Sequence, residues 1–252
     1  MMRKYLFVAL VGLLSAAPLW AADKPADLVL VAGATGRTGQ RVVEQLIAKH
    51  YRVRALVRDA AKAKAQLPAT VEMSVGDVRT PSTLEPAMHG AKYVVSAIGA
   101  SGMKPTPGNS YVEVDFQGNV NLVAAAKQAK VAQFVLVTSG GTANPAANPM
   151  EFMRPILSAK AKGEAALRAS GVPYTIVRPG GLLDEAGGKT AVAFAGGDGP
   201  VGRIPRADVA TVCVEALGRK SALSKSVSVV SGKGAWPNNW DKDFEAITAD
   251  PR

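Results

Sequence analysis

Short apolar runs rich in β-branched residues alternate with longer amphipathic stretches along the chain from Asp27 onward. The runs have the length of strands and lie at 28–31, 53–57, 71–75, 93–97, 134–137 and 175–177. The longer stretches have the period of helices and lie at 42–49, 120–129, 160–169 and 209–217. This alternation predicts one α/β domain with a doubly wound parallel sheet, because each crossover between parallel strands needs a helix.

Two connections in this pattern are long. They span residues 98–110 and 140–155 and follow the fourth and fifth predicted strands. Open α/β sheets bind their ligands among the loops at the carboxyl ends of the strands. We therefore expect a binding site at that edge of the sheet.

The first 22 residues form a segment of their own. Arg3 and Lys4 precede an apolar stretch at 5–17, and the segment ends on Ala21 and Ala22. A basic start, an apolar middle and a small-residue end predict a signal peptide over 1–22, with the folded domain at 23–252. The domain would then be periplasmic or secreted, with no membrane contact after cleavage. The alternative is an uncleaved membrane anchor.

Composition narrows the classes of function. The net charge is +10, from 30 Lys and Arg against 20 Asp and Glu, but the basic residues are scattered. We therefore expect no nucleic-acid partner and interpret the surplus as favouring small anionic ligands. A single cysteine, Cys213, excludes an intramolecular disulfide. The two histidines, His50 and His89, lie far apart, so no metal site is predicted.

A glycine-rich turn joins the first predicted strand to the first helix. It consists of Gly33, Ala34, Thr35, Gly36, Arg37, Thr38 and Gly39. In a dinucleotide site the first glycine allows the turn, the second lets the backbone approach a diphosphate, and the third lets the helix pack on the strand. Strand, turn and helix follow in that order here, so we expect these residues to bind a dinucleotide. A turn without a ligand is the alternative.

The end of the second predicted strand indicates which dinucleotide binds. Sites selective for NAD place Asp or Glu there, about 20 residues after the glycines. This chain has Arg58, which can pair with a 2′-phosphate, and Arg37 in the glycine turn could supply a second cation. We therefore predict NADP as the cofactor. The alternative is that Arg58 is solvated and the next residue, Asp59, binds the ribose.

The ends of the third and fourth predicted strands supply further candidate contacts. Asp77 and Val78 follow the third strand and are expected at the adenine edge. Ala97 and Gly99 follow the fourth strand and give small residues beside the cofactor. Each pair is also compatible with an ordinary turn.

The chain resembles the atypical short-chain dehydrogenases/reductases of the NAD(P)H-binding, NmrA-like group. The resemblance rests on the glycine turn, on Gly-Asp-Val at 76–78, on the segment 170–180 with Arg178, Pro179 and Gly180, and on Arg-Ala-Asp-Val-Ala at 206–210. It extends from about residue 27 to 248. It implies a Rossmann fold with six to seven strands and a small C-terminal part on the substrate side. It also implies that residues 178–180, Pro179 among them, lie beside the nicotinamide.

The resemblance further assigns candidate catalytic residues. Lys160 aligns with the family lysine that holds the nicotinamide ribose, and Ser139 aligns with the serine that bonds the substrate. The family's proton-donating tyrosine lies four residues before that lysine, where this chain has Ile156. Ser139 could instead be an ordinary hydroxyl at a strand end, and Lys160 a solvated helix residue.

These patterns lead to one function hypothesis and two rivals. We expect an NADP-dependent oxidoreductase without the tyrosine donor, acting on a small-molecule carbonyl, quinone or conjugated acceptor, as a monomer or homodimer. The first rival is a non-catalytic NADP(H)-binding redox sensor. The second, a sugar-nucleotide epimerase, would need the tyrosine and a larger C-terminal domain.

Overall fold

The fold is described for residues 26–102 and 105–251 of a computed structural model. The predicted signal peptide at 1–22 lies outside these residues. Within the two described ranges, no helix combines the length and the apolar character that a membrane span requires.

A sheet of eight strands forms the centre of the domain. The ten strands in chain order are β1 (Leu28–Ala32), β2 (Arg52–Val57), β3 (Glu72–Val75), β4 (Tyr93–Ser96), β5 (Gln133–Val137), β6 (Tyr174–Pro179), β7 (Gly181–Leu183), β8 (Val192–Ala195), β9 (Arg203–Pro205) and β10 (Lys225–Ser231). The large sheet has the order β3-β2-β1-β4-β5-β6-β10-β8, and only β8 runs antiparallel to its neighbour. Strands β7 and β9 form a separate parallel pair.

The six predicted strands are confirmed, with ends shifted by two residues at most. Four strands, β7 to β10, were missed. Strand β10 is the most instructive, because Ser226 and Ser228 interrupt its apolar run although both are buried. Their hydroxyls donate to Asp250 and to the carbonyl of Gly197. Buried serines are tolerated there because each has a hydrogen-bond partner.

Seven α-helices flank the sheet in the described residues. They are α1 (Arg37–Ala48), α2 (Ala60–Lys64), α3 (Glu85–Met88), α4 (Asn119–Gln128), α5 (Arg154–Ala169), α6 (Arg206–Ala216) and α7 (Trp240–Glu245), and a π-helical segment at Val112–Gly118 runs directly into α4. Helices α1, α5 and α6 begin three to six residues before the predicted starts. Their first turns carry glycine, proline or charged residues, so the apolar period does not reveal them.

The two faces of the sheet build two separate apolar cores. On β1, Val29 and Val31 point to one core, which includes residues of α1 and α6. Leu30 and Ala32 point to the other, which includes residues of α4 and α5. Side chains alternate between the faces of a strand, so helices cover both faces. The predicted doubly wound α/β fold is thus confirmed.

Strand β3 forms one edge of the sheet and is held by ion pairs. Glu72 on β3 accepts from Arg52 at 2.5 Å and from Arg54 at 3.0 Å, both on β2. Arg54 also donates to the carbonyl of Ala87 in α3. Arg54 therefore fastens the edge strand and the helix that follows it to β2.

Candidate functional site

The glycine turn is a close-packed cradle at the carboxyl end of β1. Gly33 has φ +81°, and a Cβ on it would lie 2.6 Å from the carbonyl oxygen of Ala97. A Cβ on Gly39 would lie 2.0 Å from the carbonyl oxygen of Gly33. A larger residue at Gly33 would push the turn away from the end of β4, and a larger residue at Gly39 would push α1 away from the turn. Glycine is therefore required at both positions for this close packing, as the sequence predicted.

The start of α1 carries no group that would compete with an anion. Gly36 is its N-cap, no side chain caps it, and its first turn holds no acidic residue. The partial positive charge of a helix N-terminus and its free N–H groups attract phosphate. The turn can therefore hold a diphosphate.

A cleft of about 270 Å³ extends from the turn along the carboxyl ends of β1 to β4. Its walls contain eight of the residues predicted to touch a cofactor, namely Gly33, Thr35, Gly36, Arg58, Asp77, Val78, Ala97 and Gly99. Gly39 lies beneath the turn and supports it. The cleft thus brings together residues from four strand ends that are far apart in the sequence.

One end of the cleft holds two arginines. Arg58 is exposed at the end of β2, and Arg79 follows β3. Arg79 binds both carboxylate oxygens of Asp77, through Nε at 2.9 Å and Nη2 at 2.5 Å. These hydrogen bonds lower the pKa of Asp77 and keep it charged. Sequence reasoning missed Arg79, although its place two residues after Asp77 could have revealed it.

The alternative ribose ligand, Asp59, is engaged elsewhere. Its carboxylate accepts the backbone N–H of Lys62 at 3.0 Å and caps α2. This hydrogen bond lowers the pKa of Asp59. Asp59 does not line the cleft, so the structure favours Arg58 as the strand-end residue that faces it.

Arg37 does not join Arg58, contrary to the expectation from the sequence. Its guanidinium is exposed and pairs with Asp184 at 2.5 Å. Asp184 also accepts from Arg206 at 2.7 Å, and Arg206 donates to the hydroxyl of Thr38 at 3.3 Å. Arg37 therefore ties the glycine turn to the segment after β7, Thr38 ties it to the start of α6, and neither residue lines the cleft.

Lys160 reaches the carboxyl end of β4 from α5. A Cβ on Gly99 would lie 3.6 Å from its ammonium nitrogen, so Lys160 lies beside the cleft. Its side chain is 15% exposed and pairs with the buried carboxylate of Asp115 at 2.6 Å. Lys160 is therefore not a solvated helix residue, and Asp115 is a partner that the sequence analysis did not identify.

A second and larger cleft opens beside the end of β5. It has a volume of about 1000 Å³, and its walls include Ser139, Pro179, Met150, Met153 and Val201. Ser139 is half-buried, and its hydroxyl donates to the carbonyl of Gly140 at 3.1 Å. No tyrosine among the described residues lines either cleft. The two clefts lie at the ends of neighbouring strands, β4 and β5.

Arg178 turns into the protein interior, whereas its neighbour Pro179 lines the second cleft. The Arg178 guanidinium binds Glu164 through Nε at 3.0 Å and Nη2 at 2.6 Å. Burial favours a higher pKa for Glu164, but Arg178 and the hydroxyls of Thr138 and Thr142 hold this pKa below its usual value. The resemblance implied that residues 178–180 lie beside the nicotinamide; for the Arg178 side chain, the structure corrects this.

The single cysteine, Cys213, lines neither cleft. Cys213 is buried in α6, and burial raises the pKa of its thiol to about 12. The described residues contain no cluster of His, Cys, Asp and Glu that could hold a metal ion.

The chain is similar in sequence to known proteins. The chain matches a family model described as NAD(P)H-binding over residues 33–220. It is 36% identical over 242 residues to an uncharacterised chloroplastic protein of Arabidopsis thaliana, with 87% of this chain and 74% of that protein covered. It is 34% identical over 262 residues to sanguinarine reductase of Eschscholzia californica, with 87% and 94% covered.

A solved structure supports the same assignment. A putative NAD-dependent epimerase/dehydratase of Bacillus halodurans superposes with a TM-score of 0.76 at 27% identity, with 88% of this chain and all of that chain covered. The family match begins at Gly33 in the glycine turn and extends to residue 220, so it covers most of the sheet around that turn. The chain therefore belongs to the NAD(P)H-binding family, among the atypical short-chain dehydrogenases/reductases that bind a nicotinamide cofactor.

Proposed function

We propose that the protein is an NADP-dependent oxidoreductase that lacks the tyrosine proton donor and reduces a carbonyl, quinone or conjugated acceptor. The NAD(P)H-binding family match supports the nicotinamide cofactor, and the reductase among its relatives supports the type of reaction. One observation carries the choice of NADP: Arg58 and Arg79 both line the end of the cleft next to β2 and β3. Guanidinium groups pair with phosphate in a fork geometry and favour a 2′-phosphate over a hydroxyl.

In this proposal, different residues contact different parts of the cofactor. Gly33, Thr35 and Gly36, which line the cleft, bind the diphosphate at the start of α1. Asp77 and Val78 border the adenine, and Arg58 binds the 2′-phosphate. Ala97 and Gly99 border the nicotinamide ribose together with Lys160, which lies beside this cleft, and Pro179 in the wall of the second cleft borders the nicotinamide. Arg37 and Thr38 support the turn from outside.

The proposed reaction places few demands on side chains. When bound, the reduced nicotinamide supplies a hydride. Ser139 turns its hydroxyl from Gly140 to the acceptor oxygen and stabilises the charge that develops there. Ile156 has no proton to give, so water protonates the product. General acids contribute about 10² to 10⁴-fold, so simple ketones react slowly.

The second cleft favours acceptors of a particular kind. Met150 and Val201 are exposed apolar side chains at its wall, and Met153 lies with them. Flexible methionines adapt to bulky apolar ligands, and exposed apolar groups in a cleft are typical of binding sites. A multi-ring quinone or an extended conjugated acceptor fits such walls and also delocalises the arriving charge. This makes a missing acid less costly.

The test follows the absorbance of the reduced nicotinamide. Purified protein and NADPH are mixed with a panel of quinones, aldehydes and flavins, and NADPH in buffer with the same panel is the control. We expect protein-dependent loss of absorbance, fastest with a conjugated acceptor. If NADPH binds but no acceptor oxidises it, the oxidoreductase proposal is wrong.

The sensor hypothesis has one observation in its favour, the internal hydrogen bond of Ser139 to Gly140. A hydroxyl that stays in this bond does not meet a substrate. In that case NADPH and NADP would alter the protein and leave acceptors unchanged. Limited proteolysis of the loop 140–155 with each cofactor form, in parallel with the acceptor panel, distinguishes a sensor from an enzyme.

A further inference from the structure

The ion pair of Lys160 and Asp115 lies where the proposed function places the nicotinamide ribose. Lys160 Nζ is 2.6 Å from Asp115 Oδ1, and the Asp115 side chain is 2% exposed. A Cβ on Gly99 would lie 3.3 Å from the same carboxylate oxygen. The pair is therefore at the wall of the cleft, although Asp115 itself is covered.

Asp115 is fixed by the chain around it. Its second carboxylate oxygen accepts the backbone N–H of Ala100 at 2.9 Å. Its own carbonyl accepts the amide of Asn119 at 2.8 Å, and Asn119 accepts the hydroxyl of Ser96, the last residue of β4, at 2.8 Å. These bonds join the π-helical segment to β4 and to the loop that follows it. The carboxylate thus has a fixed place relative to the cleft.

Helix α5 comes close to this point because of a glycine. A Cβ on Gly163 would lie 3.0 Å from the Asp115 carbonyl oxygen. Lys160 stands three residues earlier on the same helix, so its side chain reaches the carboxylate. π-Helical segments are often found at functional sites, where they re-aim a backbone or side-chain group. Asp115 is in the middle of this one.

The charges of the pair depend on each other. A buried carboxylate without a counter-ion is costly, and a lysine side chain without a partner samples many rotamers. Together the two groups are neutral. The Lys160 ammonium is oriented by Asp115 and keeps two further N–H groups that can donate to a ligand.

We propose that Asp115 is the positioning residue of this site: it holds Lys160 at the end of β4, so that Lys160 meets the nicotinamide ribose as an oriented hydrogen-bond donor. This proposal rests on the proposed function for the place of the ribose. In this proposal Lys160 favours cofactor binding through the orientation of its ammonium group and not through its charge, because the Asp115 carboxylate neutralises that charge.

The test compares Asp115→Asn, Lys160→Met and the double variant by titration with NADPH, by steady-state kinetics and by thermal unfolding. Each single variant should raise the Kd for NADPH about tenfold or more, because a charge-assisted hydrogen bond is lost or misdirected. The KM for the acceptor should stay constant. The double variant should bind NADPH no worse than Lys160→Met, because the two substitutions remove the same contribution to binding and their effects do not add. Lys162→Met, on the exposed side of α5, is the matched control and should bind NADPH normally.

Two results would overturn the proposal. One is an Asp115→Asn variant that has a lower Tm but the wild-type Kd, which would leave the pair a purely structural role. The other is wild-type NADPH binding by Asp115→Glu, which keeps the charge but displaces the carboxylate by one methylene; this variant serves if Asp115→Asn does not fold. The titration does not depend on an acceptor, so it remains decisive if no acceptor is reduced.

Discussion

Arg79 holds the carboxylate of Asp77 with two nitrogens, at 2.9 and 2.5 Å, in the cleft that Arg58 also lines. The carboxylate between the two arginines is therefore neutralised by one of them. The other, Arg58, is exposed and adds a net positive charge at this end of the cleft. The positive charge of Arg58 therefore attracts a phosphate group at this end of the cleft, although the acidic residue Asp77 is present.

Replacing Arg58 by Ala should abolish most of the preference for NADPH over NADH. A paired phosphate contributes about 1.5–3 kcal/mol, which corresponds to roughly a ten- to hundredfold preference. Titration of both cofactors against both proteins measures it. Arg41→Ala, an exposed arginine on α1 that pairs with Glu44, is the control and should keep the preference. Equal affinities of the unmutated protein for NADPH and NADH would contradict the prediction.

Replacing Arg79 by Ala should weaken NADPH binding more than NADH binding. The change leaves Asp77 as an unpaired carboxylate near the 2′-phosphate, and like charges at this distance repel. The second change Asp77→Asn in the same chain should restore part of the affinity. If the double variant binds NADPH no better than Arg79→Ala, Arg79 acts by direct contact and not through Asp77.

Ser139→Ala should lower the rate of hydride transfer and leave the Kd for NADPH unchanged. The hydroxyl is placed at the acceptor side of the site, in the wall of the second cleft, so its loss affects the developing charge and not the cofactor. Stopped-flow measurement with the best acceptor separates the two effects. An unchanged transfer rate would show that the Ser139 hydroxyl does not act on the acceptor.

Glu164→Gln should cost about 3–5 kcal/mol of unfolding free energy at neutral pH, because it leaves the buried Arg178 without its counter-ion. The lowered pKa of Glu164 means that its contribution is complete above the ordinary value of 4.5 and is lost as the pH falls through the folded pKa. The difference between wild type and variant should therefore shrink on acidification.

Urea unfolding at a series of pH values checks this prediction. Glu151→Gln is the control, since its side chain is 83% exposed and its pair with Arg154 should contribute less than about 1 kcal/mol. A difference for Glu164→Gln that stays constant between neutral and acidic pH would contradict the assigned cause.

Expression of the full chain with its native start should yield a product cleaved between residues 17 and 23. We expect export because Arg3 and Lys4 precede an apolar stretch, as in signal peptides. Fractionation followed by N-terminal sequencing tests this. An intact Met1 in the cytoplasmic fraction would refute it, and an intact Met1 in the membrane fraction would favour the anchor.

The sequence predicts the first half of the fold better than the second. Strands β1, β4 and β5 are mostly apolar and buried along their whole length, as is typical of parallel strands that are covered on both faces. Strands β7 and β9 have three residues each, and β10 alternates serine with valine, so none of the three gives a long apolar run.

The site divides in the same way. Glycines were predictable, because the turn around Gly33 needs them whatever binds there. The direction of long charged side chains was not. The Arg37 guanidinium pairs with Asp184, and the Arg178 guanidinium pairs with Glu164. The local sequence around each arginine does not reveal its acidic partner. Lys160 lies beside the cleft, and its partner Asp115 comes from the π-helical segment and not from α5.

The pair of Arg54 and Glu72 has a consequence for the alignment of the edge strand. The two residues are direct neighbours across β2 and β3. A slip of β3 by one residue would move Glu72 to the opposite face of the sheet, away from both arginines. An edge strand of four residues has few contacts that could prevent such a slip. The ion pair therefore selects one register for β3 and, with it, the position of Gly76 and Asp77 at the mouth of the cleft.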